Sequence, residues 1–173
     1  DATLTVNNRP ILLTVSNQTV HAGATAMANA EASDIDAGQA LTYSLGSGAP
    51  TNAAIGATSG VFTWPTSSED AGTARTITIV ASDNGTPMLS DSTTFTVTVA
   101  APPLIQGVEI SGTNVVLTWA AISGKSYRVE YKDTFAAPVW SNLPPDVTAS
   151  ESTASKVVSL DGPQRFYRIR SLD

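Results

Sequence analysis

The chain has 173 residues, enough for one or two domains, with no cysteine and a net charge of −6. The whole negative charge lies in residues 1–101, whereas residues 102–173 carry equal numbers of acidic and basic residues. This balance argues against nucleic-acid binding, which needs basic patches, and the lack of cysteine excludes thiol catalysis and cysteine-ligated metals. No apolar run is long enough to span a membrane, so no membrane insertion is expected. The uneven charge predicts two domains.

Two stretches of the sequence are alike. Residues 3–12 align without a gap on residues 96–105, and the second stretch has the pattern of a final strand that runs into the next module. We therefore interpret residues 1–6 as the tail strand of a preceding module, followed by modules over residues 7–101 and 102–173. The alternative is that residues 1–6 form a first edge strand of the first module.

The alanine-rich segment Ala22–Ala32 is predicted to be a strand. Alanines occupy every second position from Ala24 to Ala32, while Thr, Met, Asn and Glu occupy the positions between them. A period of two indicates a strand, although alanine has the highest helix propensity. The other strands predicted in this module are short and separated by Gly, Pro, Asn and Ser: residues 12–15, 18–20, 42–45, 60–64, 76–80 and 93–99. This pattern predicts an all-β sandwich.

The second module is also predicted to be a β-sandwich, so the fold class is all-β with two tandem immunoglobulin-like sandwiches. The alternating segments Val115–Trp119 and Ser126–Tyr131 are separated by six residues, which predicts a hairpin, and Phe166–Arg170 is the predicted closing strand. The alternation places Trp64 and Trp119 in the two cores.

Two aspartate motifs lie about fifty residues apart, each in a turn that precedes a strand. The first is Asp34-Ile35-Asp36, and the second is Ala-Ser-Asp83-Asn-Gly-Thr-Pro. Together they resemble the repeat of the cadherin-like and immunoglobulin-like modules of large bacterial surface proteins. The resemblance implies that both turns meet at one pole of a β-sandwich. The strands of residues 102–173 resemble those of a fibronectin type III-like module.

The resemblance implies a calcium site at the N-terminal pole. Asp34, Asp36 and Asp83 would supply carboxylates, and Asn7 and Asn8 would be the ligands from the preceding linker. Calcium prefers six to eight oxygen ligands, and the linker pattern of the family matches outright only at Asn8, so a single ion is expected. The second junction has alanines at the corresponding positions, so no metal is expected there. The alternative is that the aspartates cap backbone amides in their turns.

Other candidate sites favour structural roles. His21 is the single histidine, and the adjacent Glu69 and Asp70 cannot oppose each other across a glycosidic bond. No serine lies in a nucleophile motif, so no enzyme activity is expected. Trp140 lies in a proline-rich stretch, where it either plugs the end of the sandwich or contacts carbohydrate.

The second module also carries a basic stripe. Arg128 and Lys132 flank Glu130 on one strand, and Arg168 and Arg170 lie on another. If these strands are neighbours, the side chains form a charge ladder on a solvated sheet face. The functional alternative is a patch for anionic polysaccharide.

These features predict a non-catalytic structural or adhesive spacer in a large secreted or cell-surface bacterial protein. Its partners would be neighbouring modules of the same polypeptide or assembly, and calcium at the pole would rigidify the joint to the preceding module. The alternative is a carbohydrate-binding accessory module of a polysaccharide-degrading enzyme, with polysaccharide as the partner.

Overall fold

The structure is a computed structural model that describes residues 6–159 and 164–172. The chain divides between Val99 and Ala100 into two compact units, each with its own hydrophobic core. Five of the six residues in the predicted tail strand lie outside the described residues, and the pairing of that strand stays a prediction. Val6, the sixth, is 70% exposed. No helix in the described parts of the chain is long and apolar enough to cross a membrane.

The first unit is built from short strands and one 3₁₀ turn, Ser68–Asp70. Its described strands are β1 (Ile11–Leu12), β2 (Gln18–His21), β3 (Thr25–Asn29), β4 (Ala32–Ser33), β5 (Thr42–Leu45), β6 (Ala54–Ile55), β7 (Val61–Pro65), β8 (Ala74–Ser82) and β9 (Ser90–Ala100). One sheet has the order β2-β9-β8-β5, a second has the order β3-β7-β6, and β1 pairs with β4. The predicted all-β fold is confirmed for this unit.

The core of the first unit comes from alternate residues of both larger sheets. Phe62 and Trp64 of β7 are fully buried, as predicted for Trp64. Phe62 contacts Phe95 of β9 edge to face, with ring centroids 5.4 Å apart. Ile77 and Ile79 of β8 complete the same core and are also fully buried. Aromatic and β-branched side chains at period two therefore hold the two sheets together.

The alanine-rich segment 22–32 is not helical; it contains strand β3 and the first residue of β4, so the strand that its alternation predicts is confirmed over Thr25–Asn29. Ala26 and Ala28 lie opposite Trp64 and Phe62 in the β3–β7 ladder. Small side chains on one strand thus stand beside large aromatic rings on its neighbour. This pairing explains why alanine occupies the core face here despite its helix propensity, since larger residues would overfill the core.

The second unit is also all-β in its described residues. Its strands are β10 (Ile105–Ser111), β11 (Asn114–Ala120), β12 (Ser126–Lys132), β13 (Ser141–Thr148), β14 (Thr153–Ser159) and β15 (Phe166–Ser171). They form two three-stranded sheets with the orders β10-β11-β14 and β13-β12-β15. The predicted closing strand therefore exists as β15 and pairs antiparallel with β12.

The predicted hairpin between β11 and β12 is wrong, because these strands lie in different sheets. The connection crosses the sandwich, and the inward faces of the two strands pack against each other across the core. Trp119 and Tyr127, both fully buried, contact each other with centroids 6.1 Å apart. The Tyr127 hydroxyl accepts a hydrogen bond of 2.6 Å from the backbone N–H of Ile122 in the connection. Burial of both apolar faces explains the crossing, since a flat hairpin would leave them side by side in one sheet.

Candidate metal site at the N-terminal pole

The linker residues Asn7 and Asn8 connect the two aspartate turns. The backbone N–H of Asn8 donates to Asp36 Oδ2 at 2.6 Å, and Asn8 Nδ2 donates to Asp36 Oδ1 at 2.9 Å. Asn7 Nδ2 donates to Asp83 Oδ2 at 3.1 Å and to the Pro87 carbonyl at 2.7 Å. Two consecutive linker residues therefore bind two different turns, and all five residues lie at one end of the first unit.

Asp83 is the most buried carboxylate of this end, with 2% of its surface exposed. Its Oδ1 accepts hydrogen bonds of 3.0 Å from the backbone N–H groups of Gly85 and Leu89. Burial raises the pKa of Asp83, but the hydrogen bonds from Leu89, Gly85 and Asn7 outweigh it and hold the pKa below its ordinary value. Asp83 thus caps backbone amides in its own turn, which is the role that the sequence analysis gave as the alternative to binding a metal.

The first turn leaves oxygen atoms without partners. Asp34 Oδ1 accepts the backbone N–H of Asp36 at 2.8 Å, whereas the buried Asp34 Oδ2 has no hydrogen-bond partner among the described residues. The buried Gln39 Oε1 also lacks one, although Gln39 Nε2 donates to Asn7 Oδ1 and, at 3.4 Å, to Asp36 Oδ2. An unpaired buried polar atom costs about 1–3 kcal/mol, so both oxygens are suited to a ligand that accepts electron pairs.

Gln39 is a site residue that sequence reasoning missed. It closes the first aspartate turn, but glutamine in a polar turn gives no signal of its own. Its position became informative only when the fold brought Asn7 beside it. The arrangement also requires glycine at position 85, since a Cβ there would lie 2.2 Å from Asn7 Oδ1. Only glycine allows the second turn to approach the linker this closely.

The three aspartates do not form a cluster of carboxylates by themselves. Within residues 6–159 and 164–172, no group of three or more His, Cys, Asp or Glu side chains is placed to hold a metal. Asn7 and Gln39 connect the turn of Asp83 to that of Asp34 and Asp36. The oxygen set that the structure offers to a hard cation is therefore mixed, with carboxylate oxygens from the first turn and amide oxygens around them.

Trp140, the candidate carbohydrate contact, is half-buried and lies beside two cations. Lys132 Nζ is 4.9 Å from the centroid of one of its rings, and Arg168 Cζ is 4.5 Å away. Both distances fall within the range of cation–π contacts. The ring therefore has protein partners of its own on this sheet.

The basic stripe forms the predicted cross-strand ladder. Glu130 lies opposite Arg168, and their side chains form an ion pair of 2.6 Å. Arg128, which lies opposite Arg170, is bound to Asp146 by hydrogen bonds of 2.8 and 2.7 Å. The prediction of a solvated face is wrong at Glu130, which is only 4% exposed.

The residues considered for catalysis have structural positions. His21 is 5% exposed at the end of β2. Asp70 accepts hydrogen bonds from the backbone N–H and the hydroxyl of Ser67, and so caps the 3₁₀ turn that also contains Glu69. These contacts account for Asp70 as part of an N-terminal cap.

Comparison with known proteins places this fold in context. Residues 5–100 match the family model described as "Putative Ig domain". No curated protein sequence matches the chain.

Several solved structures are similar. The match to mouse cadherin-23 EC22-24 is 16% identical, covers 95% of this chain and 65% of that structure, and has a TM-score of 0.48, whereas human EC21-23 has a TM-score of 0.44. Human EC21-23 is 19% identical over 67% of this chain and 47% of its own. A nucleoside hydrolase-related hypothetical protein from Saccharophagus degradans, associated with carbohydrate metabolism, is 22% identical over 54% of this chain and 26% of its own, with a TM-score of 0.44. The chain spans less than two thirds of each of these structures.

The family match agrees with the immunoglobulin-like architecture that the sequence predicts for the first module. An immunoglobulin-like fold of this kind is typical of structural or adhesive modules. Because the family match covers more than half of the sequence, the chain belongs to the family described as "Putative Ig domain".

Proposed function

We propose that this chain is a non-catalytic structural or adhesive module that spaces and joins parts of a larger secreted or cell-surface protein. Its family membership, its two compact units and the capping contacts of Asp70 and Asp83 support this role. Its partners are neighbouring modules of the same polypeptide or assembly.

We further propose that one calcium ion binds at the N-terminal pole. The observation that carries this proposal is the pair of buried oxygens without partners, Asp34 Oδ2 and Gln39 Oε1. Asp34 and Asp36 would hold the ion with their carboxylates, and Asn7, Asn8 and Gln39 would add amide oxygens. Calcium accepts such mixed oxygen sets, and a hard cation would satisfy both oxygens at once. The few carboxylates imply weak binding, on the order of 10⁻⁴–10⁻³ M, as in other extracellular modules.

Asp83 has a positioning role in the site. It fixes Asn7 through its Oδ2 and shapes its own turn through its Oδ1. Because Asn7 and Asn8 precede β1, an ion held between them and the first turn would tie the linker to the sandwich. The mechanical role of calcium in this proposal is therefore to stiffen the entry of the chain into the first unit.

The alternative role, binding of carbohydrate, depends on Trp140. Lys132 and Arg168 already contact this ring. Stacking of a sugar would have to compete with both cations, which favours a structural role for Trp140.

The calcium site is tested by nuclear magnetic resonance of the ¹⁵N-labelled chain during a titration from chelator into millimolar calcium. We expect the amide signals that move to cluster at residues 7–8, 34–39 and 83–85, with those of the second unit unchanged. Magnesium serves as the control ion, because it demands a stricter octahedral geometry and gives up its water reluctantly. Unchanged spectra in calcium would reject the site, and changes confined to other residues would relocate it.

A further inference from the structure

The sequence contains one asparagine that is followed by glycine, and this pair, Asn84-Gly85, lies in the second aspartate turn. Asparagine is chemically labile, because the backbone nitrogen of the next residue can attack its side-chain carbonyl carbon. Glycine favours this attack, since it has no Cβ to hinder the approach and its backbone bends easily. The reaction is intramolecular and needs no enzyme. The exposed Asn84 is therefore a candidate for self-modification.

The closed N-terminal pole holds both reacting groups in other contacts. Asn84 Oδ1 accepts a hydrogen bond of 2.9 Å from the backbone N–H of Ala40, which ties the side-chain amide to the end of the first turn. The backbone N–H of Gly85, whose nitrogen is the nucleophile, donates to Asp83 Oδ1 at 3.0 Å. Ring closure requires the side chain to rotate away from Ala40 and the nitrogen to lose its proton. Both hydrogen bonds therefore oppose the reaction.

The linker keeps this arrangement closed. A Cβ at Gly85 would collide with Oδ1 and Cγ of Asn7, so the side chain of Asn7 packs directly on the glycine. Asn7 also donates to Asp83 Oδ2 and to the Pro87 carbonyl, which lie on either side of the reactive pair. These contacts hold the backbone of the second turn in its present shape. Departure of the linker would free Asp83 and, with it, the nitrogen of Gly85.

We propose that Asn84-Gly85 is a self-modification site that the closed pole protects and that reacts when the linker leaves the two turns. A bond forms between Gly85 N and Asn84 Cγ, the bond from Cγ to Nδ2 breaks, and ammonia leaves with the proton of the Gly85 N–H. Water then opens the resulting succinimide ring at either of its carbonyl carbons. The products are aspartate and isoaspartate, and each carries a negative charge that asparagine lacks.

The isoaspartate product makes the opening of the pole permanent. Its backbone runs through the former side chain and is therefore longer by one methylene group between Asp83 and Gly85. Asp83 Oδ1 accepts from the backbone N–H groups of Gly85 and Leu89, both at 3.0 Å, and this pair of contacts depends on the present spacing of the turn. The longer backbone also displaces Gly85 from Asn7, where the fit leaves no room. An opened pole is thereby converted into a form that does not close as before.

The test incubates the full chain at neutral pH in chelator, so that the result is independent of the proposed calcium site. Peptide mass spectrometry measures how fast Asn84 gains the mass difference between an amide and an acid. We expect the folded wild type to react about tenfold more slowly, or slower still, than the same chain unfolded in urea, because opening must break two hydrogen bonds. Equal rates in the folded and unfolded chains would overturn the protection. An unmodified Asn84 in the unfolded chain would overturn the reactivity.

Substitutions in the linker test the release. Asn7→Ala removes the hydrogen bonds to Asp83 and Pro87 and should accelerate the reaction of the folded chain about fivefold or more. Asn8→Ala loosens the linker by a second route, since it removes an exposed hydrogen bond to Asp36, and should also accelerate the reaction. Circular dichroism checks that each variant is folded. Wild-type rates in both folded variants would show that the linker does not protect the site.

Asn17→Ala is the matched control. Asn17 Oδ1 accepts the backbone N–H of Thr96 at 2.7 Å, so this variant also removes a side-chain hydrogen bond within the first unit. Thr96 pairs with Thr76, far along the β8–β9 ladder from the second turn, and the rate at Asn84 should therefore stay at the wild-type value. Equal acceleration by Asn17→Ala and Asn7→Ala would overturn the gating by the linker. The isoaspartate form, separated by ion exchange, should unfold at lower urea than the unmodified chain, and equal stability would overturn the permanent opening.

Discussion

Replacing Asp34 by asparagine separates metal binding from turn capping. Asparagine keeps the Oδ1 acceptor for the backbone N–H of Asp36, now 2.8 Å away, but removes the negative charge and the unpaired carboxylate oxygen. If calcium binds here, the wild type gains stability by mass action. At calcium about tenfold above the dissociation constant, the gain is about 1.4 kcal/mol, equivalent to a rise of about 5–10 °C in the melting temperature of a unit of about 100 residues.

The assay is thermal unfolding by circular dichroism in chelator and in calcium. We expect Asp34→Asn to match the wild type in chelator, because the capping hydrogen bond is kept, and to lose most of the rise in calcium. Glu69→Gln is the matched control, since it removes one negative charge from an exposed residue of the 3₁₀ turn and should keep the full rise. A calcium-induced rise that survives Asp34→Asn would refute Asp34 as a ligand. A variant already destabilised in chelator would show that the carboxylate stabilises the turn without metal.

Tyr127→Phe removes a hydroxyl that accepts a backbone hydrogen bond from the inter-sheet connection, and should cost about 1 kcal/mol in urea unfolding of the second unit; no loss would contradict that contact. Arg168→Ala leaves the buried Glu130 carboxylate without its ion-pair partner and should cost about 1–3 kcal/mol, clearly more than Arg170→Ala on the same strand, and equal losses would contradict the pairing. Backbone hydrogen bonds lower the pKa of Asp91, so its contribution to stability is complete above about pH 4 and is lost as pH falls through the lower folded-state pKa. Asp91→Asn should therefore reduce the acid dependence of stability, measured by urea unfolding at several pH values, and an unchanged dependence would exclude this role.

The strands could be predicted from the sequence because a period of two is a local signal. It identified the alanine-rich segment 22–32 as strand, where residue propensity alone favours helix. It also placed Trp64 and Trp119 in the cores. The hairpin between β11 and β12 failed because alternation shows which face of a strand is buried, but not against which sheet. Crossing between sheets is decided by contacts such as that between Trp119 and Tyr127, which are absent from any local pattern.

The sequence predicted where the candidate site lies, but not which hydrogen bonds its side chains make. The aspartate motifs and the Asn7-Asn8 linker meet as the resemblance implies. Their detailed hydrogen bonds depend on side-chain directions set by the fold, and so Gln39 and the capping contacts of Asp83 were not foreseen. Burial of Glu130 was missed for the same reason, since strand alternation placed it on the outer face and gave no sign that Arg168, its ion-pair partner, also lies against the ring of Trp140.

Strand β9 has a consequence for how the chain transmits tension. It is eleven residues long, pairs with β8 from Ser90 to Thr98, and continues directly into the start of the second unit. Hydrogen bonds of an antiparallel ladder lie perpendicular to the strands, so a pull along β9 loads many of them in shear at the same time. Peeling from one end would break them one by one at lower force. The first unit should therefore resist a force along β9 more strongly than a force that peels β9 away from one end.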